Sequence, residues 1–180
     1  MPQFFEIHAI HEEIKRIDRA GPECVAYGVW NAIFSWQFPV VDGYITRPQD
    51  KHTLQAGKKG YSDLHTFHYR DHEEKATKFL ITQCKRKGLE GRESVWNEGA
   101  RQLKQYLSAT HKTRSAHRRT PVYGIVTVGK YMRVYKYSDK TKDVVYWAPR
   151  GVKKGACLNI QKEKDQRKIA KILDHIRDHH

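Results

Sequence analysis

Between Tyr61 and Arg86 runs YSDLHTFHYRDHEEKATKFLITQCKR, two strand-like segments around one charged turn. In the first, DLHTFHY (63–69), Leu64, Thr66 and His68 alternate with Asp63, His65 and Phe67, the period of two that a sheet imposes. In the second, KFLITQCKR (78–86), the apolar run Phe79, Leu80 and Ile81 gives way to Gln83, Cys84 and Lys85. A central strand would continue apolar, so the polar Gln-x-Lys ending predicts a cleft at that end. With RDHEEKA (70–76) as the turn, a hairpin brings Asp63 beside the end of the second strand. Gln83 and Lys85, two apart, then share one strand face.

Working outward, Gly88 breaks the second strand and a helix follows from Arg92 to Ser108, with Val95, Leu103, Tyr106 and Leu107 as its inner stripe. Gly99 falls on that stripe, where it costs about 1 kcal/mol against Ala but lets a neighbour pack closely. The basic segment HKTRSAHRRT (111–120) leads through Pro121 to the strand VYGIVTV (122–128). KYMRVYKY is a further strand, hairpinned to VVYWAP across SDKTKD, and a helix closes the chain over about 162–178. Upstream, Ile7, Ile10, Ile14 and Ile17 recur at helical spacing, and a mostly apolar helix spans Cys24 to Trp36 before Pro39. Val40 to Gly60 predicts a short strand and a loop. Helices near 6–36, a core near 60–137 and the last helix make one mixed α/β (α+β) domain over 1–180, a central mixed sheet flanked by helices.

A chain of 180 residues with 38% hydrophobic and 30% charged side chains excludes a membrane protein and wholesale disorder. Lys and Arg number 34 against 20 Asp and Glu, a net charge of +14, which predicts a polyanionic partner, nucleic acid first and an acidic membrane surface second. Cys24, Cys84 and Cys157 form no CxxC pair, so neither a disulfide framework nor a cysteine-rich zinc site is expected. The start MPQFFEIHAIHEEIK lacks the apolar stretch of a secretory signal, and a nuclear or cytoplasmic, intracellular location is expected. P-loop, dinucleotide-binding, serine-hydrolase elbow and H-E-x-x-H motifs are absent from the sequence.

Asp63 facing the amide oxygen of Gln83 offers oxygen ligands for a hard divalent cation, Mg²⁺ or Mn²⁺. Lys85 beside such a cation can position or deprotonate the attacking water, or steady charge on a phosphate. Carboxylate, cation and lysine together suit phosphodiester hydrolysis.

An acid on one strand, acid-x-Lys on the next, then a helix and a further strand is the pattern of the PD-(D/E)XK, or restriction-endonuclease-like, nucleases. Asp63, Gln83-x-Lys85, the helix and VYGIVTV resemble it in order, over roughly residues 60–130. QLKQY, Gln102 to Tyr106, is similar to the Q-x-x-x-Y helix motif of the RecB-like and lambda-exonuclease-like branch. The resemblance implies a restriction-endonuclease-like core and a metal-dependent nuclease, with DNA the commoner substrate and RNA also open. Asp63 and Gln83 would hold the cation, Lys85 would act on the water, and Gln102 and Tyr106 would position the backbone or the site's groups.

Gln83 departs from the pattern, since the family has Glu or Asp there and one metal-binding charge is missing. Glu98, spaced i, i+4, i+8 with Gln102 and Tyr106, is one replacement acid, and Glu23 is the other. His65 shares the strand face of Asp63, whereas His175 and His179, like His8, His11 and Glu12, read as solvated faces. Lys58, Lys59, Arg86, Lys87, Arg114, Arg118, Arg119 and the pair Lys153 and Lys154 supply the basic contacts expected to meet nucleic acid. Gln83 also leaves room for an inactive nucleic-acid-binding module on the same fold, and the charge for a protein-interaction or toxin-like domain. The oligomeric state is open, a homodimer included.

Overall fold

A computed structural model describes residues 2–17, 23–53, 59–70, 75–112 and 120–180, with the backbone alone for residues 23–24, 49–53, 59–62 and 112. Along the chain come α1 (His8–Arg16), α2 (Glu23–Gln37), β1 (Tyr44–Thr53), β2 (Lys59–His68) and β3 (Thr77–Lys85). Then follow α3 (Glu93–Lys112), β4 (Tyr123–Val128), β5 (Tyr131–Ser138), β6 (Asp143–Tyr146), β7 (Leu158–Asn159) and α4 (Glu163–Asp178). The strands form one mixed sheet in the order β1-β2-β3-β4-β5-β6, with β7 on β5. Every pairing is antiparallel except β3 with β4. A parallel pair needs a crossover of a dozen or more residues, and α3 supplies it.

Both sheet faces are covered. On one, Ile10 and Ile14 of α1, Trp30 and Phe34 of α2, and Ile169 and Leu173 of α4 pack on Leu80, Ile125 and Met132. On the other, Trp96, Leu103 and Leu107 of α3 pack on Ile81, Val126 and Val128. Each fully buried side chain of this size contributes about 1.5–3 kcal/mol, so the two layers hold the sheet rigidly between them. Among the described residues, no helix is long and apolar enough to cross a membrane.

In the segment expected as a short strand and a loop, Val40 to Gly60, the strand is the ten-residue β1, an edge strand paired only with β2, and residues 54–58 lie outside the described residues. Its Pro48, opposite Leu64, is tolerable on an edge because an outward-facing position needs no N–H for the ladder. Helix α3 also runs four residues past the expected Ser108, and β7 carries no sequence signal of its own length.

A register slip between β2 and β3 shapes the interior. Thr66 pairs with Leu80 and Phe67 with Lys78, so Phe79 is an extra residue in β3. Phe79 and Leu80 both enter the layer beneath α2, while Ile81 keeps to the α3 side. Without the bulge, Phe79 would share the face of Ile81.

Helix α3 is seated closely. A Cβ on Gly99 would lie 2.7 Å from Val126 Cγ1, so the backbone touches the sheet where only glycine fits. At its first turn, Glu93 accepts two hydrogen bonds from Arg133 of β5, at 2.6 and 3.0 Å. The same guanidinium lies 4.4 Å over the Trp96 ring.

Candidate active site

The site lies where β2 and β3 part. Their last pair at this end is Leu64 with Thr82; beyond it β2 pairs with β1 and β3 with β4. Asp63 stands at that fork. Its Oδ2 accepts the backbone N–H of Cys84 at 2.6 Å, so a carboxylate takes the place of a strand partner. From the opposite layer, the Tyr27 hydroxyl donates to the Asp63 carbonyl at 2.7 Å. Side chain and backbone of Asp63 are thus pinned from two directions.

Strict alternation sends Cys84 towards the α2 layer and leaves Gln83 and Lys85 on the α3 side, beside Val126 and Val128. The Lys85 ammonium donates to Gln102 Oε1 at 2.7 Å and stands 3.8 Å from Glu98 Oε1. Gln102 Nε2 in turn donates to Glu98 at 3.3 Å. Lys85 is 18% exposed and Glu98 52%, so the chain Lys85–Gln102–Glu98 leads from the sheet to the surface.

Gln83 is only 3% exposed and leaves its Nε2 buried with no hydrogen-bond partner. A buried polar group left in that state costs about 1–3 kcal/mol, and such groups mark places where water, an ion or a substrate completes the structure. Tyr106, buried on the next turn of α3, faces the same ground. Burial, and after it the negative charge of Asp63, raise its hydroxyl above the ordinary tyrosine range. At neutral pH it therefore remains a neutral O–H.

Asp63, Gln83, Lys85, Gln102, Tyr106 and Glu98 accordingly gather around one end of β3. Glu98 reaches the site as its helical spacing predicts, and its Oε1 meets both Lys85 and Gln102. His65 lies two residues from Asp63 on the same strand face, fully buried, its ring 6.0 Å from Phe67. Arg86 and Lys87 continue from Lys85 at the sheet's end. Lys58, Arg114, Arg118 and Arg119 lie outside the described residues, as do the side chains of Glu23 and Lys59. Among the described residues, no group of three or more His, Cys, Asp or Glu gathers to hold a metal ion. Among the described residues, neither Cys84 nor Cys157 forms a disulfide.

Sequence inspection missed Tyr27 and the Cys84 amide. The first lies 36 residues from Asp63 and the second is backbone, so neither carries a local signal. No family model and no curated protein matches the chain.

Proposed function

We propose that the protein is a divalent-metal-dependent nuclease built on a restriction-endonuclease-like core, hydrolysing phosphodiester bonds with DNA favoured over RNA. The observation that carries this is the convergence of Asp63, Gln83, Lys85 and Gln102 on one face of β3 at a fork between strands. The order α2-β1-β2-β3-α3-β4, with β3 and β4 parallel across a helical crossover, supports the core assignment.

The residues fit a weakly held Mg²⁺ or Mn²⁺. Asp63 and the Gln83 amide supply oxygens only, and Mg²⁺ characteristically takes one or two protein ligands while substrate phosphate and water fill the rest. The Gln83 amide nitrogen is buried without a partner, and turning the amide over would present the oxygen that a cation needs. When bound, the cation supplies charge neutralisation at the phosphate. Lys85, fixed by Gln102, orients the attacking water and donates to the phosphoryl oxygen that gains charge. Tyr106 contributes a neutral hydroxyl beside Asp63, able to donate to water or phosphate.

Metal-stimulated cleavage of DNA is expected, lost in Asp63→Ala and Lys85→Ala while both variants stay folded. Robust cleavage by both would defeat the assignment. One observation favours a second reading: an amide at position 83 and no three-membered ligand group among the described residues fit a binding module without catalysis. Mn²⁺ titration calorimetry separates the two. Uptake lost in Asp63→Ala supports the enzyme, whereas salt-sensitive DNA binding without uptake or cleavage supports the module.

A further inference from the structure

Helix α3 packs over β3 to β6, and the β1–β2 ribbon extends the same sheet face beyond it. Register sets the rows on that face. Ile81 of β3 pairs with His65 of β2, and His65 pairs with Arg47 of β1. Asp63 is one side-chain repeat further along β2, so Arg47 stands on the face of the site, one strand out from the carboxylate. The pairing of β1 with β2 is unbroken from Tyr44 and His68 to Pro48 and Leu64, which fixes this separation. Two extended residues and one strand spacing put the Cα atoms of Arg47 and Asp63 roughly 8 Å apart.

Arg47 is held there by aromatic rings rather than by acids. Its guanidinium carbon lies 4.5 Å from the Phe67 ring centroid, and its Nη2 donates to the Tyr69 hydroxyl at 2.7 Å. Phe67 is buried yet belongs to neither apolar layer; Arg47 covers it together with Lys78, whose ammonium lies 5.2 Å from the ring centroid. Arg16, Arg133, Arg167 and Arg177 each meet a carboxylate, whereas among the described residues no carboxylate pairs with Arg47. Ring and hydroxyl therefore fix the exposed guanidinium without cancelling its charge. A side chain fixed beforehand loses less freedom on binding, and the remaining N–H groups of the fork match the oxygens of a phosphate.

We infer that Arg47, set by Phe67 and Tyr69, is a nucleic-acid contact that takes a backbone phosphate beyond the bond cut at Asp63. With about 3.4 Å of helix axis per phosphate on each strand, a separation of roughly 8 Å corresponds to two or three phosphates. The inference deepens the proposed function and rests on it: the substrate strand runs from Lys85 across Asp63 towards the β1 edge.

The test is the salt dependence of binding to a fluorescent DNA duplex in metal-free buffer, for the unmodified protein, Arg47→Gln, Tyr69→Phe and Lys164→Gln. Lys164, exposed on α4 over the opposite sheet face, is a control with the same loss of charge. Arg47→Gln is expected to weaken binding several-fold and to lower the slope of log affinity against log salt by about 0.9, the value for one phosphate contact. Tyr69→Phe keeps the ring and every charge but releases the guanidinium, so binding should weaken at an unchanged slope. That variant also tests the contact if Arg47→Gln uncovers Phe67 and loosens the fold. Lys164→Gln should change neither quantity. Binding by Arg47→Gln and Tyr69→Phe equal to that of the unmodified protein would overturn the contact while leaving the nuclease assignment standing. So would a loss in Arg47→Gln matched by Lys164→Gln, or no binding by the unmodified protein. Metal-stimulated cleavage, measured alongside, tests the nuclease assignment by itself.

Discussion

Lys85 on β3 and Gln102 on α3 meet at 2.7 Å, ammonium to amide oxygen, across the junction of sheet and helix. The contact requires α3 to lie close over β4, which Gly99 permits, and the regular alternation from Ile81 to Lys85 that puts Lys85 on the α3 side. Under the proposed function Gln102 is a positioning residue, acting through Lys85. Gln102→Ala is expected to lower kcat by roughly 10–100-fold, the range for groups that orient an active residue, with KM for DNA changed far less. Gln102→Glu keeps an oxygen facing Lys85 and should recover much of the loss. Steady-state kinetics of both variants would check this, and an Ala effect confined to KM would contradict it.

Gln83→Glu places a carboxylate at a buried position opposite Asp63 in the strand fork. Two carboxylates there favour a cation and repel each other without one. Mn²⁺ binding should tighten by roughly tenfold or more, about 1.4 kcal/mol per factor of ten. Thermal stability at neutral pH should fall in metal-free buffer and recover with Mn²⁺. Calorimetry and melting with and without metal measure both effects.

Gly99→Ala tests how closely α3 is seated. The added methyl meets Val126 Cγ1 at 2.7 Å and Cγ2 at 3.0 Å. Overpacking of this kind costs about 1–3 kcal/mol, partly offset by about 1 kcal/mol of helix propensity. A lowered denaturation midpoint is expected, accompanied by reduced cleavage as Gln102 moves off Lys85. An unchanged or raised midpoint would show that the helix has room to shift.

The pairing of the strands that carry Asp63 and Lys85 and the stripe of α3 were legible because each follows a local period, although β2 begins at Lys59, four residues before the expected start at Asp63. What was not legible depended on distant parts of the chain. Pro48 and the polar residues around it read as a loop, because the sequence does not say that β1 lies on an edge. The bulge at Phe79 breaks strict alternation without any glycine to announce it. Glu98 follows helical spacing to the site, yet only the fold shows it bound to Lys85 and Gln102.

Acid should loosen the packing around His180. Its Nε2 meets His68 Nδ1 at 2.9 Å, and its ring stacks on Phe79 with centroids 3.9 Å apart. Burial, aided by the neighbouring His68 and Arg70 charges, holds its pKa down to about 4, against an ordinary 6.5. A base whose pKa is lower folded than unfolded binds more protons when unfolded, so stability rises with pH across that interval. The contribution is whole above about pH 6.5 and is lost as pH falls towards about 4. Urea midpoints across this range should fall less steeply in His180→Phe than in the unmodified protein, and parallel slopes would contradict the assignment.

The most direct measurement is metal-dependent DNA cleavage by Asp63→Asn. Asparagine keeps an oxygen for the Cys84 N–H, so the strand fork and the fold should survive, while the charge that would hold the cation is gone. An unchanged melting temperature with cleavage reduced to background is the expected result. Cleavage near the unmodified rate, with the same dependence on Mg²⁺ or Mn²⁺, would show that the fork between β2 and β3 is not where the chemistry occurs.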